Sequence, residues 1–317
     1  MADSDLSTPP KSMRLRHPEK RNRADNPPRR KPPWIRTQLQ ARAEFGEVRR
    51  LMRAKRLNTV CEEARCPNIH ECWGQQRTAT FMVLGSVCTR RCRFCSVETG
   101  LPTELDLAEP DRVADAAADM GLRHVVVTMV TRDDLSDGGA EVIAATVAAI
   151  RARGDARIEL LTSDFGGDQA ALATVVASRP DILAHNAETV ERLTPTVRSN
   201  SSYRRSLEFL RQAHGTRSTV TRIKSSLMVG LGESAPEVAT TLEDLRSVGV
   251  EMVNIGQYLQ PSRNQQAVAR FWAPEEFARL RTLADELGFL HCEAGPFVRS
   301  SYHAEGQLAA TGDRATS

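Results

Sequence analysis

From about residue 80 onward the chain alternates apolar runs with amphipathic segments, and this alternation restricts its possible folds more than any other feature. Six apolar runs are predicted to be strands: "TATFMVLG", "RHVVVTMV", "RIELLTS", "PDILAHN", "VTRIKSSLMVG" and "VEMVNIGQ". The segments between them, such as "AEVIAATVAAIRARG", have the apolar spacing of helices. Apolar strands that alternate with helices are typical of a parallel sheet that is buried on both faces. The pattern predicts an α/β fold with six β-α units, in an open sheet or in a complete or partial barrel.

A polar segment follows each predicted strand. In chain order these segments read "GSVCTRRCRFC", "TRDDLSDGGA", "TSDF", "HNAET", "GLGES" and "GQYLQP". The carboxyl ends of parallel strands lie at one edge of the sheet, where α/β proteins bind their ligands. We therefore expect these segments to form one shared active site.

The cysteines are unevenly distributed. Six of the seven lie between Cys61 and Cys95, and Cys292 stands apart. The start of the chain lacks the apolar core of a secretory signal, and no run approaches the roughly 20 apolar residues of a membrane span. We expect a cytoplasmic protein without a membrane segment, and disulfides are disfavoured in that compartment. The odd total leaves one cysteine unpaired in any disulfide scheme, and the clustering of the other six indicates a metal site.

Cys88, Cys92 and Cys95 form a first triad with the spacing C-x3-C-x2-C, directly after the first predicted strand. A structural zinc site needs four ligands, and a catalytic zinc is more often held by histidine and carboxylate than by three cysteines. A 4Fe–4S cluster is usually held by four cysteines, one for each iron. Three cysteines would leave one iron open to a substrate or cofactor. The arginines between the cysteines are expected to offset part of the negative charge of such a cluster.

Cys61, Cys66 and Cys72 form a second triad with the spacing C-x4-C-x5-C. One interpretation is a zinc site in which His70 is the fourth ligand. The other is a second iron–sulfur cluster. The spacing alone does not decide between them.

The first triad matches the signature of the radical S-adenosylmethionine enzymes, and the whole pattern resembles the lipoyl synthase family of that superfamily. The matching stretches are "LNTVCEEARCPNIHECW", "TATFMVLGSVCTRRCRFCSV", "TRDDLSDGGA", "DILAHNAETV", "LMVGLGE", "GQYLQPSR" and "RSSYHA". Together they cover roughly residues 32 to 306.

The resemblance implies a partial (βα)6 barrel with N-terminal and C-terminal extensions that carry an auxiliary cluster. It divides the chain into a basic, proline-rich mobile arm (1–33), an N-terminal extension with the second triad (34–78), the barrel core (79–290) and a C-terminal extension with the "RSSY" motif and a tail (291–317).

The resemblance also implies an activity. Members of the family use S-adenosylmethionine and two 4Fe–4S clusters to insert sulfur at C6 and C8 of an octanoyl group on a carrier lysine, and the auxiliary cluster is sacrificed as the sulfur source. The expected partners are octanoylated lipoyl domains or the H protein, a ferredoxin or flavodoxin as electron donor, and an iron–sulfur carrier that rebuilds the cluster. The alternative is another radical sulfur-inserting enzyme, or a paralogue with a different acyl carrier.

Residue roles follow from the resemblance by position. The first triad is expected to hold the cluster with the open iron, and the second triad together with Ser301 is expected to hold the auxiliary cluster. The residues expected to contact S-adenosylmethionine are Gly138, Gly139, Asn186 and Glu188. Lys224 and Arg299 are expected to serve catalysis or substrate binding. Lys224 is also unusual in itself, because it is the only lysine beyond Lys55 in an arginine-rich chain.

The N-terminal region is strongly basic. Residues 1–36 hold ten Lys and Arg against four Asp and Glu, although the net charge of the whole chain is only +3. The same region is rich in proline, which predicts a mobile arm. It is either a solvated tail or a segment that binds a partner. No aromatic residue lies among its basic residues before Trp34, and we expect no nucleic-acid partner.

Overall fold

The computed structural model of the protein describes Asn26 and residues 28–35, 43–73, 79–102, 104–301 and 306–307. Most of the predicted arm, the end of the predicted N-terminal extension, Tyr302 of the "RSSY" motif and most of the predicted tail lie outside these residues.

Ten strands are present in the described residues. They are β1 (Asn58–Thr59), β2 (Thr80–Val83), β3 (Val87–Cys88), β4 (Glu98–Thr99), β5 (His124–Met129), β6 (Arg157–Leu161), β7 (Ile182–Ala184), β8 (Arg222–Val229), β9 (Met252–Gln257) and β10 (His291–Gly295). Eight of them form one sheet in the order β1-β2-β5-β6-β7-β8-β9-β10, and β3 pairs with β4 in a small second sheet. Within the large sheet β1 is antiparallel to β2, and every other pairing is parallel.

Ten α-helices accompany these strands in the described part of the chain. They are α1 (Ala43–Ala54), α2 (Val60–Glu63), α3 (Ile69–Glu71), α4 (Glu109–Asp119), α5 (Ala140–Arg151), α6 (Gln169–Ala177), α7 (Thr194–Val197), α8 (Tyr203–Thr216), α9 (Ala235–Ser247) and α10 (Pro274–Glu286). One longer helix joins each strand of the core to the next, which is the connection that parallel strands require. None of the helices that the structure describes has the length and apolar character of a membrane span.

The alternation of side chains along the strands separates the barrel interior from the layer beneath the helices. On β5, Val125 and Val127 belong to the hydrophobic core, whereas His124, Val126 and Thr128 line an internal cavity. Successive side chains of a strand point to opposite faces, so each strand contributes to both regions. The helix-covered side is purely apolar here, and the polar residues of β5 face the interior.

Strand pairing does not close the barrel in the described residues, because β1 and β10 are the two edges of the sheet. Residues 296–301 lie across the gap. The Asn68 side chain donates to the Phe297 carbonyl at 2.7 Å, and the Asn254 side chain donates to the carbonyls of Arg299 and Ser300 at 2.8 and 3.0 Å. Gly256 allows the close approach, since a Cβ at that position would lie 2.1 Å from the Val298 carbonyl oxygen.

The predicted α/β fold with a partial barrel is confirmed. All six predicted strands are present as β2 and β5–β9, each shorter than its apolar run. The seventh parallel strand, β10, falls in the predicted C-terminal extension and continues the sheet of the core. The sequence patterns did not predict β10, α1 or α10.

Candidate functional site

A cavity of about 1160 Å³ occupies the interior of the barrel. Its walls come from β2, β5, β8 and β9, from both cysteine triads and from the segment that crosses the open side. All six clustered cysteines line it, whereas Cys292, which is buried on β10, does not. The structure therefore brings the two triads to one space.

The first triad lies on the loop between β3 and β4, at the carboxyl edge of the sheet. The loop is fixed by backbone hydrogen bonds: Thr89 donates to Thr131 at 2.9 Å, and Gly100 donates to Cys88 at 3.1 Å. Within the loop, the Cys95 amide donates to the Cys92 carbonyl at 3.1 Å. The first βα loop thus presents three thiols toward the cavity.

The charge around Cys92 is set by two buried neighbours. Burial raises the pKa of Cys92 to about 11; the Arg198 guanidinium acts in the opposite direction, and the Glu188 carboxylate adds to the rise. Arg198 is 5% exposed and donates to the Ala187 carbonyl and the Ser206 hydroxyl, both at 3.0 Å. A thiol in such surroundings becomes a thiolate when a metal replaces its proton.

Arg90, one of the arginines between the cysteines of the first triad, is paired with carboxylates and does not face a cluster site as an unpaired charge. Arg90 forms a two-pronged pair with Asp133 at 2.8 Å and a second ion pair with Asp164 at 2.7 Å. Its charge is therefore already balanced by carboxylates. The cation beside Cys92 is Arg198, which lies about a hundred residues further along the chain.

The second triad lies on α2 and α3 and on the turn between them. Thr59 caps α2 by accepting from the Glu62 amide, and the Cys66 amide donates to the Cys61 carbonyl at 3.0 Å. Burial raises the pKa of Cys61 to about 11, Cys66 raises it further, and contacts with Thr80 lower it. His70 lines the same cavity and stacks on Phe45, with 4.7 Å between the ring centroids.

The C-terminal "RSS" residues meet the second triad. The Thr80 hydroxyl donates to the Ser301 hydroxyl oxygen at 2.9 Å, and the same Thr80 contacts the Cys61 thiol. Arg299 lies near Cys66: burial lowers the pKa of Arg299, and Cys66 acts in the opposite direction. The structure therefore places Ser301 and Arg299 beside the second triad. The ligand role of Ser301 and a catalytic or substrate role of Arg299 stay predictions.

The two triads lie at opposite ends of β2. Thr80, the first residue of β2, contacts Cys61, whereas Cys88 lies on β3, beyond the carboxyl end of β2. The prediction of one site at the carboxyl edge was incomplete, because the second triad reaches the cavity from the other end.

Asn186 and Glu188 line the cavity, and the Glu188 carboxylate acts on Cys92 of the first triad. The Asn186 amide donates to the Glu188 carboxylate at 3.0 Å. Burial raises the pKa of Glu188, and Arg198 and the Asn186 amide oppose the rise. Glu188 has a φ of 65°, a left-handed backbone that a non-glycine residue adopts at a cost.

Gly138 and Gly139 do not line the cavity. They form the turn that leads into α5, where the Asp137 side chain accepts from the Gly139 amide at 2.9 Å. Gly139 has a φ of 91°, and a Cβ there would lie 2.4 Å from the Leu84 side chain. This turn is sufficient to explain why positions 138 and 139 are glycine. Their contact with S-adenosylmethionine stays a prediction.

Lys224 is also separate from the cavity lining. It is fully buried and donates to the Glu159 carboxylate at 2.9 Å, and the other Glu159 oxygen lies 3.6 Å from His124 Nε2. Lys224 and Glu159 share their strand faces with Ser226 and Leu161, which line the cavity two residues further on. The pair therefore forms a polar layer inside the barrel, and a contact between Lys224 and substrate stays a prediction.

Comparisons with known proteins decide the family. Residues 82–245 match the model of the radical SAM superfamily, and residues 4–66 match that of the N-terminal domain of lipoyl synthase of the radical SAM family. The chain is 55% identical to a lipoyl synthase of Staphylococcus carnosus over 280 residues, which are 88% of this chain and 90% of that protein. It is 56% identical to a lipoyl synthase of Staphylococcus aureus over 88% of this chain and 92% of that protein. The chain belongs to the lipoyl synthase family.

Membership of the lipoyl synthase family makes the chain a radical S-adenosylmethionine enzyme that inserts sulfur, uses iron–sulfur chemistry and acts on a lipoyl carrier. The fold agrees with this assignment. A crystal structure of SuiB from Streptococcus suis bound to its precursor peptide SuiA superposes with a TM-score of 0.53 and 9% identity, over 68% of this chain and 48% of that one. That likeness concerns the fold alone.

The cavity offers the polar groups that a ligand such as S-adenosylmethionine would need. Among the described residues, six lining side chains have a buried atom without a hydrogen-bond partner: His70 Nδ1, His124 Nδ1, Asn186 Oδ1, Ser226 Oγ, Asn254 Oδ1 and Gln260 Oε1. Such atoms cost roughly 1–3 kcal/mol each unless a ligand or water meets them. A ligand that carries amino, carboxylate and hydroxyl groups satisfies these requirements.

The two cysteine triads are candidates to hold 4Fe–4S clusters. Among the described residues, no three Cys, His, Asp or Glu side chains converge closely enough to chelate a single ion. The ligands of a 4Fe–4S cubane bind different irons and stand farther apart than those of one ion. Each triad supplies three thiols to the cavity, and thiolates are the ligands that such a cluster takes.

Several residues of the site escaped the sequence analysis. Thr80, Arg198, Ser226 and Asn254 were not predicted, nor was the buried His124–Glu159 contact. A signal for some of them was present, because His124, Glu159 and Asn254 are polar residues inside otherwise apolar strands. Arg198 had no such signal, since it lies in a connecting segment among many other arginines.

Proposed function

We propose that this lipoyl synthase family member inserts sulfur at C6 and C8 of an octanoyl group on a carrier lysine, with two 4Fe–4S clusters at opposite ends of one cavity. The first triad holds the cluster that binds S-adenosylmethionine, and the second triad and Ser301 hold the auxiliary cluster. The observation that carries the proposal is that six cysteines and Ser301 line the same cavity of about 1160 Å³. When bound, S-adenosylmethionine and the clusters supply the hydrogen-abstracting radical and the inserted sulfur.

The protein's own residues balance charge at the first triad. Arg198 is buried beside Cys92 and offsets the negative charge of a thiolate-bound cluster. Glu188 and Asn186 line the cavity near Cys92, and their oxygens would accept from amino and hydroxyl groups of S-adenosylmethionine. Ser226 lines the same space from β8 and supplies a further polar group.

The apolar walls of the cavity protect a reactive radical. Met82, Val126 and Leu161 line it from β2, β5 and β6. These side chains hold an acyl chain by apolar contact and keep water away from the reacting carbons. The octanoyl carbons therefore lie in the apolar part of the cavity, with one triad on each side.

Thr80 prepares Ser301 for a role as a ligand. Its hydroxyl donates to the Ser301 oxygen at 2.9 Å. The same hydroxyl also contacts the Cys61 thiol, so Thr80 holds Ser301 beside the second triad. Arg299, near Cys66, adds a positive charge to the same region.

The proposal extends to the partners and the location of the protein. The carrier is an octanoylated lipoyl domain or an H protein. A ferredoxin or flavodoxin supplies electrons, and an iron–sulfur carrier rebuilds the auxiliary cluster. The reaction takes place in the cytoplasm. The family assignment supports a lipoyl carrier as the substrate.

Cysteine substitutions separate the roles of the two triads. We expect Cys61→Ala to cleave S-adenosylmethionine but to form no lipoyl product, because the cluster at the first triad remains. Cys92→Ala should lose both reactions. The measurement is anaerobic single turnover with an octanoyl-lysyl peptide, with 5′-deoxyadenosine and thiolated peptide quantified by mass spectrometry. Iron analysis should give about eight iron atoms in the unchanged protein and about four in a variant that lacks one triad.

Cys292→Ala is the matched control, since Cys292 is buried on β10 outside the cavity. It should keep both reactions and the full iron content. Lipoyl product from Cys61→Ala would exclude the second triad as the sulfur source. Stoichiometric zinc in place of iron would reject the whole proposal.

A further inference from the structure

The charged side chains that are exposed where the cavity meets solvent are all basic. Among the described lining residues, those with exposed side chains are Lys31, Arg65 and Arg123, together with Gly306. The acidic residue of the lining, Glu188, is partly buried near Cys92. The described entrance to the cavity is therefore positively charged, although the net charge of the whole chain is only +3.

Hydrogen bonds join several segments into one face around Lys31 and Arg65. The Asn26 side chain donates to the Arg263 and Gln265 carbonyls at 3.0 and 2.8 Å. Gln265 in turn donates to the Cys95 carbonyl at 3.3 Å. The neighbouring Ser96 donates to the Glu63 carbonyl at 2.5 Å, two residues before Arg65. The arm, the loop after β9, the first triad and the second triad are thus continuous here.

Three segments of this face carry basic and no acidic side chains, although the segment of the second triad also holds Glu62, Glu63 and Glu71. Residues 28–35, 85–95 and 258–273 contain no acidic residue. Their exposed basic side chains, with Arg65, form what we call the basic rim: Arg29, Arg30, Lys31, Arg65, Arg91, Arg93 and Arg263. The Arg29 guanidinium also donates to the Ala269 carbonyl at 2.5 Å, which fixes the arm against the loop after β9.

We propose that the basic rim is the docking surface for the carrier protein, and that it selects carriers with an acidic surface around the acylated lysine. This inference rests on the proposed function, because the octanoyl lysine must pass the rim to reach the cavity. The carrier approaches as a folded domain, so its surface next to the lysine meets the rim while the acyl chain enters. Opposite charges at that contact speed association and exclude carriers of the wrong charge.

The observed arm gives the rim a defined shape. Trp34 donates from its indole to the Trp272 carbonyl at 3.2 Å, and Ile35 is 3% exposed. Asn26, Arg29 and Trp34 therefore attach the described part of the arm to the loop after β9 at three points. The arm thereby holds Lys31 at the cavity. Of the two roles considered for this region, the structure favours partner binding for residues 26–35.

The test measures binding of two carriers to the reconstituted protein under anaerobic conditions. One probe is an octanoylated lipoyl domain that has Asp and Glu around its lysine, and the other is the same domain with those residues changed to Asn and Gln. We expect the acidic domain to bind at least about tenfold more tightly at low salt, with the difference shrinking as salt rises, because exposed charges are screened over about 8–10 Å. Equal affinity for the two domains would overturn the proposal.

Charge reversal locates the surface. Arg30→Glu combined with Arg263→Glu, two rim residues outside the cavity lining, should weaken binding of the acidic domain about tenfold or more and leave the neutral domain unaffected. The matched control is Arg211→Glu combined with Arg279→Glu, which changes the net charge equally on exposed faces of α8 and α10. An equal loss in test and control variants would show a general charge effect and reject the rim.

Two further measurements distinguish a failure of the rim proposal from a failure of the proposed function. Turnover of a short octanoyl-lysyl peptide should be unchanged in the rim variant, since this peptide has no acidic domain surface. If the protein without substitutions does not turn over the peptide, the proposed function is contradicted. The carrier-binding comparison tests the rim alone. An RNA oligonucleotide that binds the rim more tightly than the acidic domain would overturn the assignment to a carrier.

Discussion

Ser301, which contacts Thr80, is either part of a polar turn or a ligand of the auxiliary cluster. If Ser301 were only part of a polar turn, its hydroxyl would be worth about one hydrogen bond, roughly 1 kcal/mol. As an iron ligand it would close the auxiliary cluster, and it would bind iron less firmly than a softer thiolate. The hydrogen bond that Thr80 donates, at 2.9 Å, suits the second interpretation.

We predict that Ser301→Ala keeps cleavage of S-adenosylmethionine and loses most sulfur insertion. Ser300→Ala is the control and should be milder, since the structure uses the backbone carbonyl of Ser300 to accept from Asn254. Ser301→Cys should hold the iron more firmly and also slow insertion, because the cluster must open. Single-turnover assays with iron counted before and after will measure this. Full activity of Ser301→Ala with unchanged iron loss would contradict the ligand role.

Lys224 presents a different case, because its surroundings are a buried ion pair. Lys224 and Glu159 are both fully buried and lie 2.9 Å apart. Burial tends to raise the pKa of Glu159, but Lys224 and His124 hold it below its usual value. Removing the lysine leaves a buried carboxylate without its cation.

We predict that Lys224→Met lowers the free energy of unfolding by about 3–5 kcal/mol. The double variant with Glu159→Gln should recover most of that loss, because no uncompensated charge remains. Urea unfolding of the three proteins under anaerobic conditions is the measurement. If instead the single variant kept its stability and raised KM for the octanoyl carrier, Lys224 would be a substrate contact.

Single residues were predictable where their spacing has chemical meaning. The cysteines of both triads and Ser301 were found by motif, and the structure brings them to one cavity. Arg198 and Thr80 could not be found in this way, because their importance comes from the tertiary fold, which sets them beside Cys92 and Cys61. Lys224 was found by its rarity, which carries no information about the partner that it contacts.

At the scale of secondary-structure elements, three connections at the carboxyl edge are joined through Asp164. This residue follows β6 and pairs with Arg90, after β3, and with Arg205, on α8, both at 2.7 Å. Burial tends to raise the pKa of Asp164, but His185, Arg90 and Arg205 outweigh it and hold the pKa at about 2. The pairs fix the loop of the first triad relative to α8.

We predict that Asp164→Asn destabilises the protein most at neutral pH. The folded pKa of about 2 lies below the ordinary 3.8, so the ionised carboxylate stabilises the fold above about pH 5 and loses this effect as the pH falls toward 2. The difference in unfolding free energy between the two proteins should shrink by about 1 kcal/mol from pH 7 to pH 3. A difference that is independent of pH would contradict this role. Asp168→Asn, at the cap of α6, is a control outside the network.

Elements of the core followed from periodicity, whereas the flanking elements did not. Strands β5 and β6 are apolar runs bounded by polar segments, and local pattern is sufficient to predict them. Strand β10 alternates burial and has the sequence "HCEAG", which lacks an apolar run. It is a strand because it pairs with β9 over five residues, and that pairing depends on the tertiary fold.

At the scale of the whole molecule, the sequence predicted one active site at one edge, and the structure has a cavity that runs through the barrel. The first triad is placed by the general rule for parallel sheets, and the sequence was sufficient for it. The second triad is placed by β1, which pairs with β2 in the antiparallel sense. A two-residue strand has no recognisable pattern, so the distance between the triads could not be predicted.

The contact that joins the Ser301 and Thr80 hydroxyls has a consequence for how the protein is made. The two residues are 221 positions apart. At about 5–20 residues per second, the ribosome needs roughly 10 to 45 seconds after Thr80 to reach Ser301. The cysteines of the second triad emerge early, and the segment that covers them emerges last. The second triad therefore lacks this cover for most of translation. It gains Ser301 only when the segment across the open side of the barrel has been made.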